Sequence, residues 1–167
     1  MKRLFILLAI VGFIAPMAIA QNKKAEKEAA AKAQYDKAVA AIESKDFVII
    51  VETYESSTRT IETNTDVANF LSFEKDFVFL QGFPAANSYT NKLEVSEYKQ
   101  ETDKKGNLNI SMQVKGFYIN ARIEIFMKKG GNYADVIVSH RKEGTRRFSG
   151  EVVPKSQSKY FKRPGEV

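Results

Sequence analysis

From Asn107 to Lys115 every second residue is apolar. Leu108, Ile110, Met112 and Val114 alternate with Asn109, Ser111, Gln113 and Lys115. A period of two places these sets on opposite faces of an extended strand, whereas an amphipathic helix needs a period near 3.6. The pattern continues over 117–128, where Phe117, Ile119, Ala121, Ile123 and Ile125 are expected inside and Asn120, Arg122 and Glu124 outside. Shorter β-type runs occupy 68–74, 76–81, 93–100, 133–140 and 147–153. The run 47–54 (FVIIVETY) begins almost wholly apolar, as a strand covered on both faces does.

The links between the later runs are short and rich in turn formers: Asp103-Lys104-Lys105-Gly106, Lys129-Gly130-Gly131-Asn132 and Lys142-Glu143-Gly144. Links of that kind close hairpins. About eight antiparallel strands in up-and-down order, each with one apolar face, predict a mainly β domain over 46–154. The sheet is either a curled meander or a small barrel. One link is different: Gly82 to Asn91 (GFPAANSYTN) interrupts the meander and is the loop expected to carry binding residues.

Helical spacing is confined to the N-terminal side. Residues 21–45 read as one helix. The run Glu28-Ala29-Ala30-Ala31-Lys32 is strongly helix-forming, and Tyr35, Ala38, Val39 and Ile42 make an apolar face that docks on the β domain. Before it, Lys2 and Arg3 precede the apolar run Leu4 to Ile14, and Ala18-Ile19-Ala20 puts small residues at the two cleavage-reading positions. This is the pattern of a signal peptide over 1–20. The run is short of the roughly 20 residues that span a bilayer and is broken by Pro16. An exported soluble protein, periplasmic or extracellular, is the expectation. The final 155–167 (KSQSKYFKRPGEV) is basic, has no strand pattern, and is expected to be a flexible tail.

Removing twenty residues from 167 leaves enough chain for one ordinary domain with a core of its own. The formal charge of +6 falls to +4 without Lys2 and Arg3, too mild to mark a nucleic-acid binder. With no cysteine in the chain there is no disulfide, no thiolate nucleophile, no cysteine metal site and no lipid-modified cysteine.

Little of what remains carries chemistry. His140 is the single histidine and has neither a nucleophile motif nor a histidine cluster around it. It reads as a polar residue at a strand end. Glu52, Glu55, Glu62, Glu94, Glu97 and Glu101 are scattered over several segments, and polar strand faces account for them. A glycosidase-like pair among them is the alternative. Gly130-Gly131 is a hairpin turn and not a phosphate cradle, since no Lys-Ser or helix start follows. No cofactor or metal is implied.

Aromatic residues are the more suggestive feature. Phe70, Phe73, Phe77, Phe79 and Phe83 crowd into fourteen positions, with Tyr89 and Tyr98 beyond. Most build the core. Phe79, Phe83 and Tyr89 are the candidates to rim an apolar opening at one end of a barrel, for a hydrophobic small molecule or an envelope component. The tail's Lys159-Tyr160-Phe161-Lys162-Arg163 adds a basic and aromatic element suited to anionic material.

The order of these features resembles a known group. A signal peptide, a short helix and a strand opening with Phe47-Val48 are followed by Ala68-Asn69-Phe70-Leu71, paired late strands and Arg146-Arg147-Phe148-Ser149-Gly150. Together they are similar to the bacterial domain-of-unknown-function family 4251, found in exported proteins. The resemblance covers roughly Asp46 to Pro154. It implies a compact lipocalin-like β domain and assigns no catalytic residue. A non-enzymatic binding or structural module of the bacterial envelope is the resulting functional expectation, with a carboxylate-based hydrolase as the alternative.

Overall fold

Each alternating run becomes a strand in the computed structural model, which describes residues 2–142 and 144–167, with side chains from residue 23 onward. Helix α1 (Lys2–Glu43) leads into β1 (Asp46–Ile50), β2 (Thr53–Glu55) and β3 (Ile61–Thr63). Then follow β4 (Phe70–Glu74), β5 (Phe77–Gln81), β6 (Asn91–Thr102) and β7 (Leu108–Lys115), and after them β8 (Asn120–Met127), β9 (Tyr133–His140) and β10 (Gly144–Pro154). The signal peptide read over residues 1–20 falls outside the residues whose side chains are described. No helix among the described residues is long and apolar enough to cross a membrane.

Strands β4 to β10 pair with their chain neighbours, all antiparallel. β1 pairs with both β4 and β10, so eight strands close into a barrel. The expected β1 run of 47–54 is broken in two. Val51 N donates to Asn69 O, and Glu52 N donates to Ser149 O, so the chain leaves β4 and continues along β10 as β2. The break has a steric cause on the facing strand: a Cβ on Gly150 would overlap the Ile50 carbonyl oxygen. Only glycine lets the two backbones approach this closely. β2 and β3 form a hairpin outside the closed ring.

Inward residues of all eight barrel strands join one continuous buried cluster. Ile110, Met112, Val114, Ile119, Ile123 and Ile125 are all buried, as alternation requires. Phe117 is not, and stands 81% exposed. Gly116 N donates to Ile119 O, so residues 116–119 form a turn; Phe117 keeps the phase of the strand without lying on it.

The predicted helix face docks as expected. Ala38, Ala41 and Ile42 are buried in the core, Tyr35 and Val39 pack against it, and residues 23–30 are exposed. Tyr35 Oη donates to Gly106 O of the β6–β7 turn, and Lys75 N of the β4–β5 turn donates to Lys45 O. The helix therefore closes the barrel at the end carrying those turns. At the opposite end the long β5–β6 loop inserts Ala85 and Ala86 into the same core. The interior is a packed core with a plug at each end.

The C-terminal segment differs from the flexible tail expected. After a short 3-10 turn over Lys155–Gln157, it runs across the outside of β1, β4 and β5. Tyr160 packs edge-on against Phe70 with ring centroids 4.8 Å apart, covering an outer cluster of Val48, Phe70 and Phe79. This is the second cover that the apolar start of FVIIVETY requires. Buried Gln81 holds the strap: its Nε2 donates to Ala68 O and Phe161 O, while its Oε1 accepts from Arg163 N and the Thr90 hydroxyl.

Candidate functional site

The antiparallel order gathers the β5–β6 loop and the β7–β8 and β9–β10 turns at the end of the barrel away from the helix. The β5–β6 loop spans that mouth. It leaves β5 through Gly82, whose φ of 95° lies in the left-handed region and whose missing Cβ makes room for the Asn69 side chain. The amides of Ala85 and Ala86 then both donate to Gly82 O, a tight turn that points the two alanines into the core. Asn87 and Asn91 brace the rest. Asn91 Nδ2 donates to Leu80 O, Tyr89 O and Asn87 Oδ1, and Tyr89 N donates to Asn87 Oδ1. The loop is thus a rigid lid with a polar frame.

One side of the lid is tied to β10, where Arg146 Nη1 donates to Phe83 O at 2.9 Å. The other side meets the β7–β8 turn, where the Tyr89 ring stacks on Tyr118 with centroids 5.6 Å apart and an interplanar angle of 22°. Phe117 and Tyr118 meet in a T-shaped contact with centroids 4.7 Å apart. Phe83 is 69% exposed, Tyr89 52% and Tyr118 54%. Four aromatic side chains therefore stand in solvent at one end of a molecule whose other described aromatics are mostly buried or half-buried.

The sequence-predicted trio is divided by this geometry. Phe83 and Tyr89 both lie on the lid; Ala85 and Ala86 fill the barrel mouth beneath them, and Phe83 lines instead an open groove on the β10 side with Tyr54, Glu55, Glu62 and Arg146. Phe79 points to the outer face of β5, is only 5% exposed, and lies under the strap with Lys162 Nζ 3.3 Å from its ring centroid. Phe117 and Tyr118 are the residues that alternation misplaced or passed over. Adjacent aromatics directly after Gly116 break the period of two, and that is the signal that marks them.

Beside the aromatic group an open groove is lined by Lys115, Phe117, Tyr118, His140, Arg141 and Lys142, among others. Arg141 N donates to Asn120 O, which joins the β7–β8 and β9–β10 turns. None of the described residues lining this groove is a carboxylate.

The scattered carboxylates come to rest elsewhere. Glu52, Glu62, Glu94, Glu97 and Glu101 are exposed, Glu55 pairs with Arg147 at 3.6 Å, and Glu62 accepts from the Tyr54 hydroxyl. Among the described residues no three His, Cys, Asp or Glu side chains are grouped to hold a metal ion. The most perturbed carboxylate is Glu74, under the strap. Burial pushes it up, but hydrogen bonds from Lys155, Lys162 and Ser72 and the Lys162 charge outweigh that and bring it down to about 2. Its oxygens take Lys155 Nζ at 2.8 Å and Lys162 Nζ at 2.9 Å. That is a clasp for the chain terminus.

The model of the domain of unknown function DUF4251 matches residues 29–152, from α1 ahead of its docking face to Val152 in the seam strand β10. The chain belongs to the DUF4251 family. A crystal structure of a DUF4251 family protein from Bacteroides eggerthii DSM 20697 is similar to it throughout the domain, with 28% identity and a TM-score of 0.68. The match covers 78% of this chain and 94% of that one. No curated protein matches the chain. The family match leaves out residues 153–167, so the strap that clasps Glu74 and Gln81 lies beyond the matched DUF4251 segment.

Proposed function

We propose that this DUF4251 protein is a non-catalytic binding module of the bacterial envelope and that it meets its ligand on the outer surface of the lid. The observation that carries the reading is the pairing of a filled barrel with an exposed aromatic end. Core side chains occupy the space where a lipocalin-like protein would hold a ligand, while Phe83, Tyr89, Phe117 and Tyr118 remain in solvent on braced loops. Folding alone does not reward that exposure, and a rigid scaffold presenting loops is how β domains commonly bind. Export is part of the proposal, and it rests on the charged, apolar and small-residue segments of residues 1–20.

The test is a thermal-shift screen against envelope lipids and glycans. Replacing Phe83 and Tyr89 together with Ala removes exposed surface and should leave the melting temperature of the unliganded protein nearly unchanged. Ligand-induced stabilisation should disappear in that variant. Its retention would remove the lid from the proposal, and a turnover that depends on His140 would overturn the non-enzymatic reading.

A further inference from the structure

We propose that the lid's Tyr89 side, with the β7–β8 and β9–β10 turns, docks on a membrane surface bearing anionic lipid headgroups. This rests on the reading of the lid as the binding face and names what it meets. The first observation is Phe117. It is 81% exposed at a turn tip, its side chain has no polar atom to satisfy, and it lies between Lys115, two residues before it, and Tyr118, directly after it. An apolar tip carried between cationic and phenolic groups matches the layering of a bilayer interface, with apolar matter deepest and charges at headgroup level.

The second observation is charge. Lys115, Arg141 and Lys142 line the adjacent groove, and these three cations are complementary to phosphate-bearing headgroups. An exposed, wholly apolar tip beside a cationic flank favours a lipid surface, where insertion of the tip and pairing of the cations with headgroups occur together. The Asn87–Asn91 frame already orders the lid, so docking need not pay for ordering it.

The chain contains no tryptophan, so Phe117→Trp gives a single reporter at the proposed depth. The full chain carrying it is mixed with vesicles of phosphatidylcholine alone or with phosphatidylglycerol added, and separately with a soluble anionic polysaccharide. Because the signal is local to residue 117, binding through the apolar stretch near the N-terminus does not produce it. The expected result is a blue shift, and quenching by lipids brominated in the acyl chain, only when phosphatidylglycerol is present. Added salt should weaken both. Lys115→Glu combined with Arg141→Glu and Lys142→Glu should abolish them, with an unchanged circular-dichroism melt showing that the fold persists. A reporter that stays in water with anionic vesicles overturns the lipid assignment. If it then responds to the polysaccharide, the lid remains the binding face; if it responds to neither and the thermal-shift screen is also negative, the binding reading falls with it.

Discussion

The backbone amide of Arg163 donates to the side-chain oxygen of Gln81 at 2.8 Å, joining the strap to a glutamine with no exposed surface. Every polar atom of that side chain is engaged, and three of its partners are backbone groups of Ala68, Phe161 and Arg163. Replacing Gln81 with Leu keeps an apolar volume but strands those groups. A loss of about 1–3 kcal/mol in urea unfolding is expected, together with faster trypsin cleavage after Lys159 or Lys162. Unchanged cleavage would mean that the strap is held elsewhere.

Glu74 makes the strap pH-dependent. Its folded value of about 2 lies below the ordinary 4.5. A depressed carboxylate contributes stability in full above its unfolded value, and that contribution is lost as the pH falls from 4.5 towards 2. Glu74→Gln should flatten this part of the stability curve and weaken the strap already at neutral pH. Denaturant melts on either side of that window, for both proteins, measure the difference.

Gly150→Ala tests the barrel seam. The added methyl group collides with the Ile50 carbonyl oxygen, which is backbone and cannot rotate away. A destabilisation of about 1–3 kcal/mol or more is expected from such overpacking. Gly131 has nothing within 4 Å of a built Cβ, so Gly131→Ala serves as the neutral control in the same thermal melts.

Phase along β8 can be read from two truncations. Ile123 is fully buried, and Ile123→Ala should cost on the order of 2–5 kcal/mol. Phe117 is mostly in solvent, and Phe117→Ala should stay within about 0.5 kcal/mol of the parent. Equal effects at the two positions would contradict the turn at 116–119.

These cases mark where local pattern suffices. The core-facing identity of Ile110, Met112 and Ile123 follows from period two alone, because a strand's neighbours on either side do not change which way its residues point. Phe117 has the same phase and the opposite fate, and only the glycine before it and the second aromatic after it depart from the alternation. The split of FVIIVETY depends on Gly150, about a hundred residues away, and the strap depends on side-chain bonds to Gln81 and Glu74 over comparable separations. Polar contacts of that range have no periodicity to detect. For the site, the loop carrying Phe83 and Tyr89 is legible as an interruption of the meander. Phe79 is not separable from them in the sequence, because nothing periodic in 155–167 announces the strap that covers it.

Closure of the barrel rests on three register pairs, Phe47 with Pro154, Val48 with Val153 and Ile49 with Val152, joining segments more than a hundred residues apart along the chain. Such a contact carries the largest loop-closure cost in the sheet, so it should be the last part of the ladder to form and the first to open. The strap begins at the next residue and crosses onto β4 through Lys155 and Tyr160. The strap therefore ties the chain end just past the seam to β4, so that opening the seam also means releasing Glu74 and Gln81 from their partners on the strap.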